Sequence, residues 1–236
     1  MSPTVNQATR PQSIGILGGS FDPVHKGHIG IAKAAIKQLK LDQLRFLPCH
    51  IPPHKTQLKS TSAQRIAMLE LAIGRKPYMH IDTREMRRTE PSYTLKTLQS
   101  FRQEFGSACQ LNFIMGWDSW QSFHTWYHWQ SFLPLANLVI INRPGYSQAV
   151  GDDQQQLQQQ WLIPAEQLVD FSSGRVCYLH APEQNISSSE IRQCVGARQA
   201  PNKASGDLTE NLIDNLVDNL VGIDIAKFIE NAGLYR

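Results

Sequence analysis

His25 and His28 lie three residues apart in GILGGSFDPVHKGHIG (residues 15–30), a stretch that also carries five glycines. Imidazoles beside bare backbone suit the handling of anions. Gly18 and Gly19 can take backbone angles closed to other residues, so a phosphate chain can approach the main chain there. Gly27 and His28 fall near the first turn of the following helix, where unpaired N–H groups and the positive dipole end attract negative charge. Two other readings remain for these residues: a tight strand-to-helix loop with incidental histidines, or a zinc pair with HxxH spacing. Zinc would need further Cys, Asp or Glu ligands close by. The other histidine pair, in HIPPH (50–54), is separated by prolines that forbid an aligning helix. No protein metal site is expected. Asp22 is either the cap of the turn before Pro23 or a functional acid.

A second cluster, NISSSEIR (185–192), sets serines ahead of Arg192. Serines at a helix start cap its N–H groups, and with a guanidinium close behind they can also clamp an anion; the two roles stay open.

Both clusters need a scaffold. SIGILG (13–18) is short, apolar and stopped by glycine, as a buried strand is, and GHIGIAKAAIKQLKL spaces Ile29, Ala32, Ile36 and Leu39 at helical intervals. LRFLP (44–48), MHIDT (79–83), LNFIMG (111–116), NLVIIN (137–142) and RVCYLH (175–180) read as further strands. Helical stretches are expected near 62–74, 94–105 and 121–133. This alternation predicts an α/β, doubly wound, Rossmann-like parallel sheet with helices on both faces, because parallel neighbours require long right-handed crossovers. The glutamine-rich 151–162 reads as a surface helix or loop. ENLIDNLVDNLV (210–221) puts Leu212, Leu216 and Leu220 on one helical stripe with Ile213, Val217 and Val221 beside it. That helix is expected to pack on the main body or to form a subunit contact in a homo-oligomer.

The totals narrow the setting. A chain of 236 residues fits one α/β domain, here 13–236 after a polar tail of 1–12, with the serine–arginine segment in a late helical part from about 186. The formal charge of +3 is spread along the chain, which argues against nucleic acid as a partner. No apolar run approaches the roughly 18 residues of a membrane span, and no secretory signal is visible. Cys49, Cys109, Cys177 and Cys194 lie far apart without a CxxC pair, so neither a disulfide framework nor a zinc cluster is suggested and the cytoplasm is the expected compartment.

GGSFDPVHKGH (18–28) resembles the HxGH signature of the nucleotidyltransferase superfamily, and NISSSEIR resembles the ISSTxIR motif of its adenylyltransferase branch, with Ser189 keeping the hydroxyl of the more usual threonine. Class I aminoacyl-tRNA synthetases share a similar first signature, but their KMSKS motif is absent. PPHK (52–55), EPSYTLKTL (90–98), GWDSWQSFHTWYHW (116–129) and INRPGY (141–146) resemble, in order, blocks of the bacterial nicotinate-nucleotide adenylyltransferases. The resemblance runs from about residue 14 to 193 and resumes at IAKFIENAGLYR. It implies transfer of AMP from ATP to nicotinate mononucleotide, with Mg²⁺ held mainly by substrate phosphates. His25, His28 and Arg192 would then be catalytic, with Gly18, Gly19, Ser20, Phe21, Gly27, Ser188 and Ser189 around ATP. The mononucleotide would meet Tyr93, Thr94, Asp118, Trp126 and Tyr127, with His54, Lys55 and Arg143 near phosphates. Lys55 stands where relatives carry arginine, which keeps charge and loses the bidentate contact. Trp126 can stack on a flat ring and Thr94 can help bind a ring carboxylate. Most of the other rings between Trp117 and Trp129 are expected to be core or helix packing.

Overall fold

The computed structural model describes residues 11–50, 58–89, 91–142, 150–181, 187–198 and 216–236. Six strands form one parallel sheet: β1 (Ser13–Gly19), β2 (Gln43–Pro48), β3 (Met79–Ile81), β4 (Gln110–Gly116), β5 (Asn137–Asn142) and β6 (Val176–His180). Their spatial order is β3-β2-β1-β4-β5-β6, and every neighbouring pair is parallel. This is the doubly wound arrangement, whose winding reverses between β1 and β4. At such a reversal the connections leave the two strands toward opposite faces, and a crevice opens beyond their carboxyl ends.

Helices α1 (Lys26–Gln38), α2 (Ser62–Ile73), α6 (Ser188–Arg198) and the C-terminal helix Ile223–Asn231 cover one face, packing Ala32, Leu69, Ile191 and Ile225 against Leu44, Phe46, Ile114 and Val139. Helices α3 (Thr94–Phe105), α4 (Trp117–Gln121) and α5 (Asp152–Trp161) lie on the other, where Leu98, Trp120 and Leu157 meet the layer of Ile14, Ile16, Phe113 and Ile140. Strands buried on both faces explain the unbroken apolar runs in the sequence. Among the described residues no helix is long and apolar enough to cross a membrane.

Three expectations need correction. The helix near 121–133 is instead α4 followed by 3₁₀ turns at Phe123–Thr125 and Trp129–Ser131, with Trp126 extended and His128 at φ +48. The reason lies in the spacing: Trp117, Trp120, Phe123, Trp126, Trp129 and Phe132 recur every three residues, which suits three residues per turn and not 3.6. Strand β3 stops at Ile81 because the Asp82 carboxylate turns back to accept the Arg84 N–H at 3.1 Å. In the helical residues 216–221, Val217 and Val221 are buried while Leu216 is 44% exposed. The helix does pack on the body, through Val217 and Val221 with Leu220 half-buried beside them, while Leu216 faces outward. Its earlier part, with Leu212 and Ile213, lies outside the described residues, as do residues 1–10 of the tail.

The segment 151–162 forms a helix, and Gln154 explains its docking. Its buried amide Nε2 donates to the carbonyls of Trp120 and Gln121 at 3.0 and 3.1 Å, tying α5 to the end of α4.

Candidate active site

Strand β1 ends at Gly18 and Gly19, and the chain then makes a tight loop into α1. A Cβ on Gly19 would sit 3.0 Å from the Phe21 ring. Phe21 itself is fully buried, holds φ +49, and packs edge-on against His28 and Phe46 with ring centroids 5.0 and 5.7 Å away. A left-handed backbone on a bulky residue costs on the order of 1–3 kcal/mol and persists only where neighbours enforce it. His25 is the N-cap of α1; its backbone N–H donates to Nδ1 of His28 at 3.3 Å, and the two rings lie 3.8 Å apart. With Nδ1 accepting, the neutral His28 ring carries its proton on Nε2. Gly27 sits in the same first turn.

Asp22 is 2% exposed, and its carboxylate is enclosed by three donors: Lys59 N–H at 2.7 Å, Ser60 hydroxyl at 2.5 Å and Tyr235 hydroxyl at 2.7 Å. It organises the loop. The late motif grips the same loop from the other end of the chain: Arg192 Nη1 donates to the Asp22 carbonyl at 2.6 Å, and Ser188 Oγ to the Pro23 carbonyl at 2.9 Å. Arg192 Nη2 also donates to Ser189 Oγ at 3.0 Å. The serines divide by position. Ser187 is the cap, exchanging bonds with Glu190 through its N–H and hydroxyl, while Ser188 and Ser189 serve the loop and the guanidinium.

A cavity of about 810 Å³ opens beside this loop at the carboxyl ends of β1 and β4. Gly18, Gly19 and Ser20 form one wall; Tyr93, Thr94, Asp118, Trp126 and Tyr127 form another. Tyr93 and Tyr127 touch with centroids 4.6 Å apart and ring planes tilted by 36°, and Trp126 is half-buried, braced by Phe113, Phe123 and Phe132. Tyr93 caps α3, so Thr94 and its neighbours present the N–H groups of a helix start. Glu85 lies at the floor, 3% exposed; burial pushes its carboxyl above the ordinary range, partly opposed by bonds from Thr97 and Ser92.

A family model described as cytidylyltransferase-like matches residues 16–194. The chain is 36% identical over 223 residues, 94% of each sequence, to the probable nicotinate-nucleotide adenylyltransferase of Serratia proteamaculans. It is 40% identical over 190 residues to that of Cellvibrio japonicus, covering 80% of this chain and 90% of the relative. The chain belongs to the nicotinate-nucleotide adenylyltransferase family. Its fold is shared with the nicotinic acid mononucleotide adenylyltransferase of Plasmodium falciparum complexed with NaAD, at a TM-score of 0.66 and 16% identity, over 95% of this chain and 97% of that one.

Within the adenylyltransferase chain the expected residues fall into two groups. Five mononucleotide candidates and three loop residues share the cavity, whereas His25, His28, Phe21, Gly27, Ser188, Ser189 and Arg192 are not among its walls and join it through the Gly18–Pro23 loop. His54, Lys55 and Arg143 lie outside the described residues. Trp117 and Trp120 are core, as expected for that run.

Sequence reasoning missed Arg65, 1% exposed, whose Nη1 donates to the Ser20 and Cys49 carbonyls at 3.0 and 2.7 Å. Burial pulls its guanidinium below the ordinary value, against the raising influence of Cys49 and Asp22. A signal existed. Arg65 shares the buried stripe of α2 with Met68, Leu69 and Ile73, and an arginine there needs a partner. Tyr235, Ser60 and Ser92 had no comparable signal; Ser92 Oγ accepts the His50 N–H at 2.9 Å and so links the loop after β2 to the start of α3.

Proposed function

We propose that the chain transfers AMP from ATP to nicotinate mononucleotide, giving deamido-NAD and pyrophosphate. The observation that carries this reading is the continuity of one cavity from the glycine loop at Gly18–Ser20 to the aromatic wall of Tyr93, Trp126 and Tyr127. Such a space suits a phosphate chain at one end and a flat ring at the other.

The nucleophile is the mononucleotide's own phosphate. Its second pKa is about 6, so at neutral pH it is largely dianionic and needs no protein base. A phosphate oxygen attacks the α-phosphorus of ATP, the bond from that phosphorus to the bridging oxygen breaks, and the electron pair leaves with pyrophosphate. The difficulty is to hold two polyanions in line, so the chain's task is positioning and charge stabilisation. His28, with Nδ1 taken by the His25 N–H, offers Nε2–H to a phosphate oxygen. Arg192, already tied to the loop carbonyl of Asp22, has further N–H groups for the departing pyrophosphate. Ser188 and Ser189 keep that arginine and the loop in register.

At the ring end, Trp126 stacks on the pyridine, and the N–H groups at the start of α3, with the Thr94 hydroxyl, donate to its carboxylate. That pairing favours acid over amide. Asp118, in the first turn of α4, faces the same cavity and suits a ribose hydroxyl.

Asp22 is enclosed by three donors, and no group of three or more His, Cys, Asp or Glu able to hold a metal occurs among the described residues. The donor set therefore fits a magnesium ion carried by substrate phosphates and water. When bound, that ion neutralises phosphate charge. A cytoplasmic setting belongs to the same reading, argued from four widely separated cysteines without a CxxC pair.

The test is turnover of ATP and Mg²⁺ with either the acid or the amide mononucleotide, with products identified by mass. Deamido-NAD and pyrophosphate, formed faster than NAD from the amide, are expected. Faster turnover of the amide would overturn the acceptor, and absence of both products would overturn the reaction.

A further inference from the structure

We propose that Tyr235, the penultimate residue, is a positioning residue for the triphosphate loop, acting through Asp22; the proposal rests on the reading of that loop as the ATP site. The loop must hold Phe21 at φ +49 while presenting the backbone of Gly18–Ser20 to a ligand, so its shape has to be imposed from outside. Arg65 holds the Ser20 carbonyl, Arg192 the Asp22 carbonyl and Ser188 the Pro23 carbonyl. The Asp22 side chain is held by Lys59, Ser60 and Tyr235.

Tyr235 is the most distant of these tethers, 213 residues from Asp22 in sequence, and the chain end is built to deliver it. The C-terminal helix packs on α2 through a face that buries Ile225 and Ile229, and Leu234 is buried in the same core. Gly233 at φ +60 and Tyr235 at φ +65 then turn the chain so that the phenol reaches inward. The hydroxyl also lies 3.5 Å from Ser60 Oγ. Burial, with the nearby Asp22 charge adding to it, keeps the phenol protonated far above neutral pH. It therefore donates to Asp22 across the whole range in which the enzyme would work, and the contact is a fixed strut and not a switch.

Losing that donor leaves the buried Oδ1 of Asp22 with the Ser60 hydroxyl alone in place of two donors, a deficit that Asp22 relieves by moving the loop it belongs to. A displacement of about 1 Å in a positioning element can cost up to a hundredfold in rate. Tyr235→Phe keeps the ring and its packing while removing the bond. The expected result is about fivefold to tenfold weaker binding of α,β-methylene ATP, a kcat lower by about tenfold or more, and a KM for the mononucleotide within about twofold of the parent, because the aromatic wall is untouched. In an Asp22→Ala background the same change should add nothing to the nucleotide Kd. An unchanged Kd for the analogue in Tyr235→Phe overturns the proposal, as does a full additive effect in the double variant. If Asp22→Ala does not fold, the single variant decides. A parent protein that binds the analogue without turning over either mononucleotide would overturn the transfer reaction, while the Kd comparison would still decide the role of Tyr235.

Discussion

Arg192 donates from Nη1 to the backbone carbonyl of Asp22 at 2.6 Å, joining residues 170 positions apart. A guanidinium can serve that carbonyl, the Ser189 hydroxyl and a phosphate together because its donors are forked in one plane. Arg192→Ala should lower turnover by about a hundredfold or more, and Arg192→Lys should recover only a small part, since an ammonium cannot span the three partners. Pyrophosphate release under saturating substrates checks this; recovery by lysine to within about threefold would show that charge alone suffices.

His28 has two separable roles. Its Nδ1 accepts the His25 N–H, a capping contact worth about 0.5–2 kcal/mol, and in the proposed reaction its ring also serves a phosphate oxygen. His28→Ala should cut turnover by about a hundredfold and lower the melting temperature slightly. His28→Asn should restore the stability and not the turnover. Thermal unfolding by circular dichroism alongside kinetics reads both.

Trp126→Ala should raise KM for the mononucleotide by about tenfold with a smaller change in kcat, because stacking is shared by ground and transition states. Trp126→Phe should fall between. An unchanged KM would remove the indole from the pocket, leaving it as packing for Phe113 and Phe132.

Two buried carboxyls should give opposite pH responses in stability. Burial alone would raise Asp82, but hydrogen bonds from Arg84 and Arg45 outweigh it and hold its carboxyl below the ordinary value. A depressed pKa contributes stability above the unfolded value of about 3.9 and loses it as pH falls through the folded one. Asp82→Asn should therefore cost on the order of 1–3 kcal/mol at pH 7, with the gap closing in acid below about pH 4. Glu85 is raised by burial, so its contribution is full below the unfolded value of about 4.3 and lost as pH rises through the folded value. Glu85→Gln should remove that loss, and its stability advantage should grow from about pH 4 toward neutrality. Urea unfolding of each variant between about pH 3 and 7 measures both signs.

The alternation of apolar runs and helical periods made the sheet legible, and all six strands occur where their runs lie, to within about two residues at each end. That signal is local: a strand buried on two faces cannot hide its composition. The tryptophan-rich segment misled because a period of three was read as a helix when it belonged to 3₁₀ turns, and the placing of Trp126 depends on contacts with Phe113 and Phe132 that no local rule contains.

The sequence by itself determined the parts: a glycine loop with two histidines, a serine–arginine helix start, a set of rings suited to a pyridine, and a doubly wound parallel sheet to carry them. The tertiary structure decided their relations. It assigned Asp22 to the interior of its own loop, recruited Arg65 and Tyr235 to hold that loop, and divided the three serines between capping and clamping. The physical reason is that burial and hydrogen-bond partnership are properties of pairs brought together from distant parts of the chain. The sequence states what each side chain can donate or accept, and only the packed fold states to whom.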